Sequence, residues 1–305
     1  MDNLTHSLTG LVLARAGLSR SSRGATLALV LASNLPDADL VTAFGGAANY
    51  LEHHRGFSHS LLGAPLFALA LALLLRATLR GSRFAGLLLC SLAGVAAHVF
   101  MDLWTSYGTR VLLPFDRRFL TWDLVFIVDP WLLALLLGSI LMLRRSPQGA
   151  QVASVGLGLA LAYVGARAVL HQQALDQARA QLSGRPVQRI AALPSPIDPF
   201  AWRVLADTGD AYWTGDVSLR GRSSPLLRRE KQREDAAVVS AREKSEVASV
   251  FLSFSTFPWL ETSRTDEGTE VVWRDLRFER PGRASFEARV LVGRDGAIRS
   301  ERFRF

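Results

Sequence analysis

The sequence predicts an α-helical membrane bundle of about five to six transmembrane helices, followed by a small, mostly-β extracytoplasmic domain. Hydrophobic residues make up 49% of the 305-residue chain, and the mean hydropathy of +0.19 is high for a soluble protein. The apolar residues are concentrated in the first half, whereas the second half resembles ordinary soluble sequence. Segments of the second half are rich in β-branched and aromatic residues, which favour strands.

Six apolar segments in residues 1–171 are the candidates for membrane-spanning helices. A full span takes ~20 residues, so the first segment is short and either crosses the membrane or lies in its interface. Pro36 ends the second segment, because proline lacks an amide donor and disfavours helical geometry at the preceding residue. The six segments are residues 4–18, 24–33, 60–79, 84–104, 124–143 and 150–170.

The soluble half is predicted to begin after a helix extension and linker at residues 172–193. The Pro-rich ALPSPIDPF marks the boundary, and residues 194–305 are assigned to the mostly-β domain. A Gly-Arg-Asp-Gly turn predicts a hairpin near the C-terminus. Residues 228–246 are highly charged and predict a surface helix or mobile loop. The other predicted strands are AWRVL, AYWTGDVSL, SVFLSFS and EVVWRDLRFE.

The charge distribution predicts the membrane orientation. The net charge is +8, but 33 of the 35 basic residues are arginines, many of which flank apolar segments. Cytoplasmic loops carry an excess of arginine and lysine. One face carries eight arginines without acidic residues, namely Arg15, Arg20, Arg23, Arg76, Arg80, Arg83, Arg144 and Arg145. With that face cytoplasmic, the opposite loops and the soluble domain lie outside. The basic pI therefore reflects membrane topology rather than nucleic-acid binding.

Polar residues from four separate segments are predicted to meet at the extracytoplasmic end of the bundle. Imidazole and carboxylate groups together suit zinc, and also manganese or iron. His98 and Asp102 are four residues apart, so they share a helix face. Metal sites in bundles use side chains from facing helices in this way. The converging residues are His6, Asn34, Asp37, Asp39, His53, His54, His59, His98, Asp102 and Thr105.

Simpler interpretations exist for several of these residues. Asp37 and Asp39 are also suited to cap the helix that follows Pro36. His53 and His54 are adjacent, so both are not expected to bind one ion. His6 alone is compatible with an ordinary buried histidine. Arg55 either neutralises Glu52 or holds a substrate anion with its fork of donors.

Four motifs resemble the YdjM-type membrane-bound metal-dependent hydrolases of bacteria: LTHSLTG, NLPDAD, HHRGFSHS and HVFMDLWTSYGTRVLLPF. The resemblance covers about residues 1–170. That family is distantly similar to zinc-dependent phospholipase C and related single-strand nucleases, which bind zinc clusters. The resemblance implies ligand roles for Asp37, His59, His98 and Asp102, and His6 matches an early histidine. No further HxxxH or HxxxE pair follows Asp102, so one or two ions are expected, with zinc favoured over manganese.

The function expected from these features is a metal-dependent hydrolase in the bacterial inner membrane. Its partners would be membrane lipid and an amphiphilic, phosphoester-containing substrate, with no nucleic acid; the oligomeric state stays open. Asp39, or one of His53 and His54, is expected to act as general base if it is not itself a ligand, and Arg55 to stabilise developing negative charge. The alternatives are a non-enzymatic metal-binding scaffold or sensor, or a transporter. A transport path needs polar groups through the bilayer, whereas here they gather at one end.

Overall fold

A computed structural model describes residues 1–143, 148–279 and 286–304. The chain divides into two compact units, each assembled from three segments. The first unit consists of Met1–Asp39, Arg55–Ala174 and Pro194–Trp202. The second consists of Leu40–His54, Leu175–Leu193 and Arg203–Phe305.

Apolar helices form the first half of the chain. The helices are α1 (Asn3–Arg15), α2 (Ala25–Ala32), α3 (Ala47–His53), α4 (Gly63–Thr78), α5 (Phe84–Leu103), α6 (Pro130–Leu143) and α7 (Gly149–Gln181). Within the described residues, α5 and α7 are each long and apolar enough to cross a membrane. The number of candidate spans rises to four if two broken helix pairs, at α2 and α4, each count as one. The helical character is therefore confirmed, whereas the count of five to six spans stays a prediction.

Two glycines allow α1 and α5 to pack closely against α2. A Cβ atom on Gly10 of α1 would lie only 2.9 Å from the carbonyl oxygen of Leu29. A Cβ atom on Gly94 of α5 would lie 2.6 Å from the Cβ of Ala32. Small residues at such positions let membrane helices approach each other. The rings of His6 and His98, carried by α1 and α5, consequently stack with centroids 3.8 Å apart.

Beyond α7 the described residues form two layers of strands and two further helices. The strands are β1 (Arg189–Pro194), β2 (Ala201–Asp207), β3 (Ala211–Ser218), β4 (Leu227–Glu230), β5 (Pro258–Thr265), β6 (Gly268–Asp275), β7 (Glu287–Gly293) and β8 (Ile298–Arg304). They make two four-stranded sheets, each in sequential order. The helices are α8 (Ala236–Lys244) and α9 (Glu246–Phe254). The predicted hairpin is present, because β7 and β8 pair antiparallel around Gly296.

The prediction of a mostly-β domain is corrected to an α/β domain. The segment SVFLSFS was predicted as a strand but belongs to α9. Its β-branched and aromatic residues favour strands only weakly, because β propensity depends on context. The Ser245 side chain accepts a hydrogen bond from the Ala248 amide and caps the helix. Val247, Phe251 and Phe254 then lie on one buried face of α9.

A buried carboxylate links β6 and β7 in the second unit. The Glu287 side chain is fully buried and accepts hydrogen bonds from Arg274 Nε at 2.6 Å and Arg289 Nε at 2.8 Å. Burial alone would raise the pKa of Glu287, but the two guanidinium groups outweigh it and hold this pKa below its usual value. The carboxylate is therefore charged at neutral pH and joins the two strands electrostatically.

Candidate metal centre

Four buried side chains of the first unit direct one donor atom each towards a common point. Asp37 and His59 come from 3₁₀ segments, Leu35–Gly45 and Phe57–His59, which lie at breaks between helices. His98 and Asp102 come from consecutive turns of α5. Irregular backbone at membrane depth is tolerated where it is buried in protein, and here the breaks bring Asp37 and His59 to the end of α5.

The spacing of the donor atoms is that of a coordination shell. His59 Nε2 lies 3.1 Å from His98 Nε2, 3.5 Å from Asp37 Oδ1 and 3.3 Å from Asp102 Oδ2. His98 Nε2 lies 3.5 Å from each of the same two carboxylate oxygens. Donors placed ~2.0–2.1 Å from a tetrahedral zinc ion are about 3.3 Å apart. The four side chains are thus spaced to hold one ion without rearrangement.

The tautomer of His98 is set by a backbone carbonyl. Its Nδ1 lies 2.8 Å from the carbonyl oxygen of Ser33, at the end of α2. A carbonyl oxygen only accepts hydrogen bonds, so Nδ1 carries the proton. In the neutral ring, Nε2 then presents its lone pair to the centre, which is the form that binds a metal ion.

The tautomer of His59 is set by a hydroxyl and a carboxylate. Ser58 Oγ donates a hydrogen bond to Asp39 Oδ2 at 2.7 Å and lies 2.9 Å from His59 Nδ1. Because the single hydroxyl proton goes to the carboxylate, Nδ1 of His59 is the donor to Ser58. The His59 Nε2 atom is then also left with a lone pair that points to the centre.

Two imidazole lone pairs that face each other at 3.1 Å cannot form a hydrogen bond. A cation between them, either a proton or a metal ion, would remove this repulsion. The nearby Asp37 Oδ1 and Asp102 Oδ2 atoms are buried and have no hydrogen-bond partner among the described residues. Buried carboxylate oxygens of this kind are normally paired or bound to metal. The donor set therefore fits a divalent ion better than a shared proton.

The second oxygen of Asp102 is occupied by other groups. Arg55 Nη2 lies 3.1 Å from Asp102 Oδ1, and His6 Nε2 lies 3.3 Å from it. The amino group of Met1 contacts the same oxygen. Arg55 Nη1 also donates to Thr105 Oγ1 at 3.2 Å. The arginine thus offsets the charge of the carboxylate on the side away from the donor cluster.

The helical part of the chain matches a known family over most of its length. The profile of the YdjM inner membrane protein family covers residues 1–174, which include all four donors. The chain belongs to this family. A second profile, the YfhP C-terminal alpha/beta plait domain, matches residues 237–304. The YdjM-family helices are therefore joined to a separate, recognisable C-terminal domain.

One curated relative shares this two-part organisation over nearly its full length. The chain is 28% identical over 313 aligned positions to the uncharacterized protein YfhP of Bacillus subtilis (strain 168). The match covers 98% of the chain and 94% of the relative. No solved structure matches the chain. The comparisons establish the YdjM family and its membrane setting, and the distant similarity to phospholipase C stays a prediction.

The structure places the other predicted site residues of this YdjM-family chain outside the cluster of four donors. His6 is buried beside Asp102 but is not one of the four converging donors. Asp39 accepts hydrogen bonds from Ser58 and from the backbone amide of Arg55, at 2.9 Å for the latter. His54 belongs to the second unit, where its buried ring stacks on Tyr50. Arg55 is engaged by Asp102, although the sequence predicted a substrate anion or Glu52 as its partner.

Sequence reasoning missed two groups that orient the ligands, Ser58 and the carbonyl of Ser33. A backbone carbonyl leaves no trace in a sequence. Ser58 directly precedes His59 in the histidine motif, and this position was the available signal. Serine is common in turns for other reasons, so its role became evident only from the hydrogen bonds to Asp39 and His59.

Proposed function

We propose that the protein is a metal-dependent hydrolase of the bacterial inner membrane. The observation that carries the proposal is the convergence of four donor atoms, on Asp37, His59, His98 and Asp102, at coordination spacing. A divalent ion held there would activate water and polarise a phosphoryl oxygen. The chain's own contribution is to orient the imidazoles through Ser33 and Ser58, and to balance Asp102 with Arg55.

The number of protein donors limits which metal ion could support hydrolysis at this site. Four protein donors fill a tetrahedral zinc shell, as in structural zinc sites, whereas catalytic sites keep a position open. A six-coordinate ion such as manganese or iron would keep two positions for water and substrate with the same four donors. Hydrolysis at this site therefore requires a metal with more than four ligands, or the displacement of one carboxylate by water.

The depth of the centre supports an amphiphilic substrate. His98 lies roughly 7.5 Å before the end of α5 at Leu103, at about 1.5 Å of helix per residue. A site close to the end of a span is level with lipid headgroups rather than with the middle of the acyl chains. We propose a phosphoester of a lipid-like molecule as the substrate. The arginine distribution supports a site on the extracytoplasmic side.

Elemental analysis of the detergent-purified full chain tests the metal centre. We expect about one zinc, manganese or iron ion per chain, and its loss in the double variant His98→Ala with Asp102→Ala. The matched control is His53→Ala, because His53 belongs to the same motif but is exposed and hydrogen-bonds to the Asn49 carbonyl oxygen. Absence of metal in the wild type after reconstitution with each ion would overturn the proposal.

Turnover distinguishes the hydrolase from a second candidate, a metal-binding scaffold or sensor. The four-donor shell, which closes a tetrahedral ion, specifically favours the scaffold. The loaded protein is incubated with phospholipid vesicles and with bis(p-nitrophenyl) phosphate. Metal-dependent release of product, absent in the His98→Ala and Asp102→Ala double variant, supports the hydrolase. Stoichiometric metal without turnover on any phosphoester would replace it with the scaffold.

A further inference from the structure

We propose that two loop segments beside the metal centre form an apolar rim that inserts into the lipid leaflet, so that substrate reaches the centre from the leaflet rather than from water. The rim consists of the turn at residues 57–62 and the loop at residues 111–115. Its occupant is the acyl region of the bilayer. The access route rests on the proposed function, whereas the insertion of the rim does not.

Large apolar side chains of the rim are exposed. Phe115 is 81% exposed, Leu61 is 60% exposed and Phe57 is 54% exposed. Large apolar surfaces of a protein that stay exposed are typical of contacts with a partner or a membrane. The sequence of the loop, VLLPF, is an apolar run with Arg110 on one side and Asp116 on the other, so the apolar surface has sharp polar limits.

The turn directs polar side chains inward, and one of them is a donor of the metal centre. Ser58, His59 and Ser60 are buried, whereas Phe57 and Leu61 on either side of them are exposed. His59 is two residues from each of these apolar side chains, and two residues of chain span at most about 7 Å. The donor therefore lies directly behind the rim, within reach of the headgroup of a lipid whose acyl chains contact the rim.

Backbone hydrogen bonds join the two segments into one surface. The Leu61 amide donates to the Val111 carbonyl oxygen at 2.9 Å. Just before the loop, the Arg110 amide donates to the Arg55 carbonyl oxygen, also at 2.9 Å. The turn and the loop are thus held side by side, and their exposed apolar side chains belong to a single rim.

The backbone of the rim is hydrogen-bonded within the protein, as contact with acyl chains requires. In the turn, the Ser60 amide donates to the Phe57 carbonyl oxygen at 3.1 Å. In the loop, the Phe115 amide donates to the Leu112 carbonyl oxygen at 2.9 Å, and Pro114 has no amide proton to satisfy. These segments can therefore face lipid without leaving these amides unpaired.

Continuity with an apolar helix of the membrane family identifies lipid as the occupant. Leu62 is exposed and directly precedes α4, whose Leu66 and Leu73 are exposed as well. Exposed leucines on a helix of an inner membrane protein face lipid. Directly after the loop, Asp116 and Arg118 form an ion pair at 2.6 Å. Charged groups at this position are suited to the level of the lipid headgroups, so the apolar rim lies on the acyl side of them.

Spin labelling of the full chain in phospholipid vesicles tests the insertion of the rim. The labelled variants are Leu61→Cys, Phe115→Cys and Arg118→Cys, in a Cys90→Ala background because Cys90 is the only cysteine in the sequence. Collisions of each nitroxide with O₂, which is enriched among acyl chains, are compared with collisions with a water-soluble nickel chelate. Arg118→Cys is the matched control, because the Arg118 side chain is 79% exposed, like Phe115, but is charged.

We expect collisions with O₂ to dominate for Leu61→Cys and Phe115→Cys, and collisions with nickel to dominate for Arg118→Cys. Dominant nickel collisions at all three positions would place the rim in water and overturn the inference. Protection of the Leu61→Cys and Phe115→Cys labels from both reagents would also overturn it, because protein, such as a second copy of the chain, would then cover the rim. The measurement needs neither metal nor turnover, so its result stands even if the proposed function fails.

The access route is tested by comparing two substrates of the metal-loaded protein. In Phe115→Asp, the rate on phospholipid vesicles relative to the rate on soluble bis(p-nitrophenyl) phosphate should fall about tenfold or more, because a phenylalanine ring is lost from lipid. Leu227→Asp is the control, since Leu227 is an exposed apolar residue of β4, outside the rim, and its ratio should match the wild type. An unchanged ratio in Phe115→Asp would overturn the route through the leaflet. Absence of turnover on both substrates in the wild type would overturn the proposed function and this route together, and would leave the spin-label result intact.

Discussion

Substitution of Asp102 by asparagine tests two different roles that the structure gives to the two oxygens of this carboxylate. Oδ2 is one of the four proposed donors, and Oδ1 is 3.1 Å from Arg55 Nη2. Removing a residue that only hydrogen-bonds to a metal ligand typically lowers metal affinity 10–100-fold. Loss of a direct donor should therefore weaken binding by more than about 100-fold, or roughly 2.7 kcal/mol.

The same substitution leaves the Arg55 guanidinium buried without a carboxylate partner. Breaking a buried ion pair in this way destabilises a protein by about 3–5 kcal/mol. Asp102→Asn alone is thus expected to lower both metal affinity and thermal stability. The double variant Asp102→Asn with Arg55→Met removes both charges, so most of the lost stability should return while the lost metal affinity should not.

A double-mutant cycle on these two positions provides the assay. Metal affinity is measured by chelator competition, and stability by thermal unfolding of the metal-free protein in detergent. Asp116→Asn is the control, because Asp116 pairs with the highly exposed Arg118. If the double variant bound metal as tightly as the wild type, Asp102 would not be a ligand and the coordination argument would fail.

Three further outcomes follow from other parts of the molecule. A cysteine introduced at Ser223 should react with a membrane-impermeant reagent added outside intact cells, whereas one at Arg80 should be protected; the opposite pattern reverses the orientation. Acid should lower the free energy of unfolding of the second unit, because the pKa of Glu287 is lower in the folded protein than in the unfolded chain. The resulting stability is present above the pKa of an unfolded glutamate and is lost as the pH falls through the folded value. Glu287→Gln should reduce this pH dependence of thermal unfolding, and an unchanged dependence would contradict the assignment. Phe251→Ala should destabilise the protein by about 3–5 kcal/mol, since the ring is fully buried, whereas Val239→Ala, at a position 42% exposed, should have little effect.

The sequence predicted those parts of the site that depend on local geometry. The four-residue spacing of His98 and Asp102 places both on one face of α5, and the structure has them there. The helix-breaking effect of Pro36 correctly indicated an interruption near Asp37. Both features depend on a few neighbouring residues, and the chemistry of those residues is visible in the sequence.

The remaining features depend on contacts between distant segments. Nothing near His98 indicates that the Ser33 carbonyl will accept its Nδ1 proton, because the two residues meet only when α2 and α5 pack. The position of Asp39 beside Ser58 likewise requires that two loops be brought together. The strand predicted at SVFLSFS was wrong for a similar reason, since packing of α9 against a sheet outweighs the weak local preference.

The positions of the four donors along the chain bear on when the site can form during synthesis. Asp37, His59 and the α5 pair all precede residue 103, whereas the first strand begins at Arg189. Every donor has therefore left the ribosome before the sheets are made. The early helices and the turns between them carry every donor, so an ion captured at that stage would fasten these helices while the rest of the chain is still being translated.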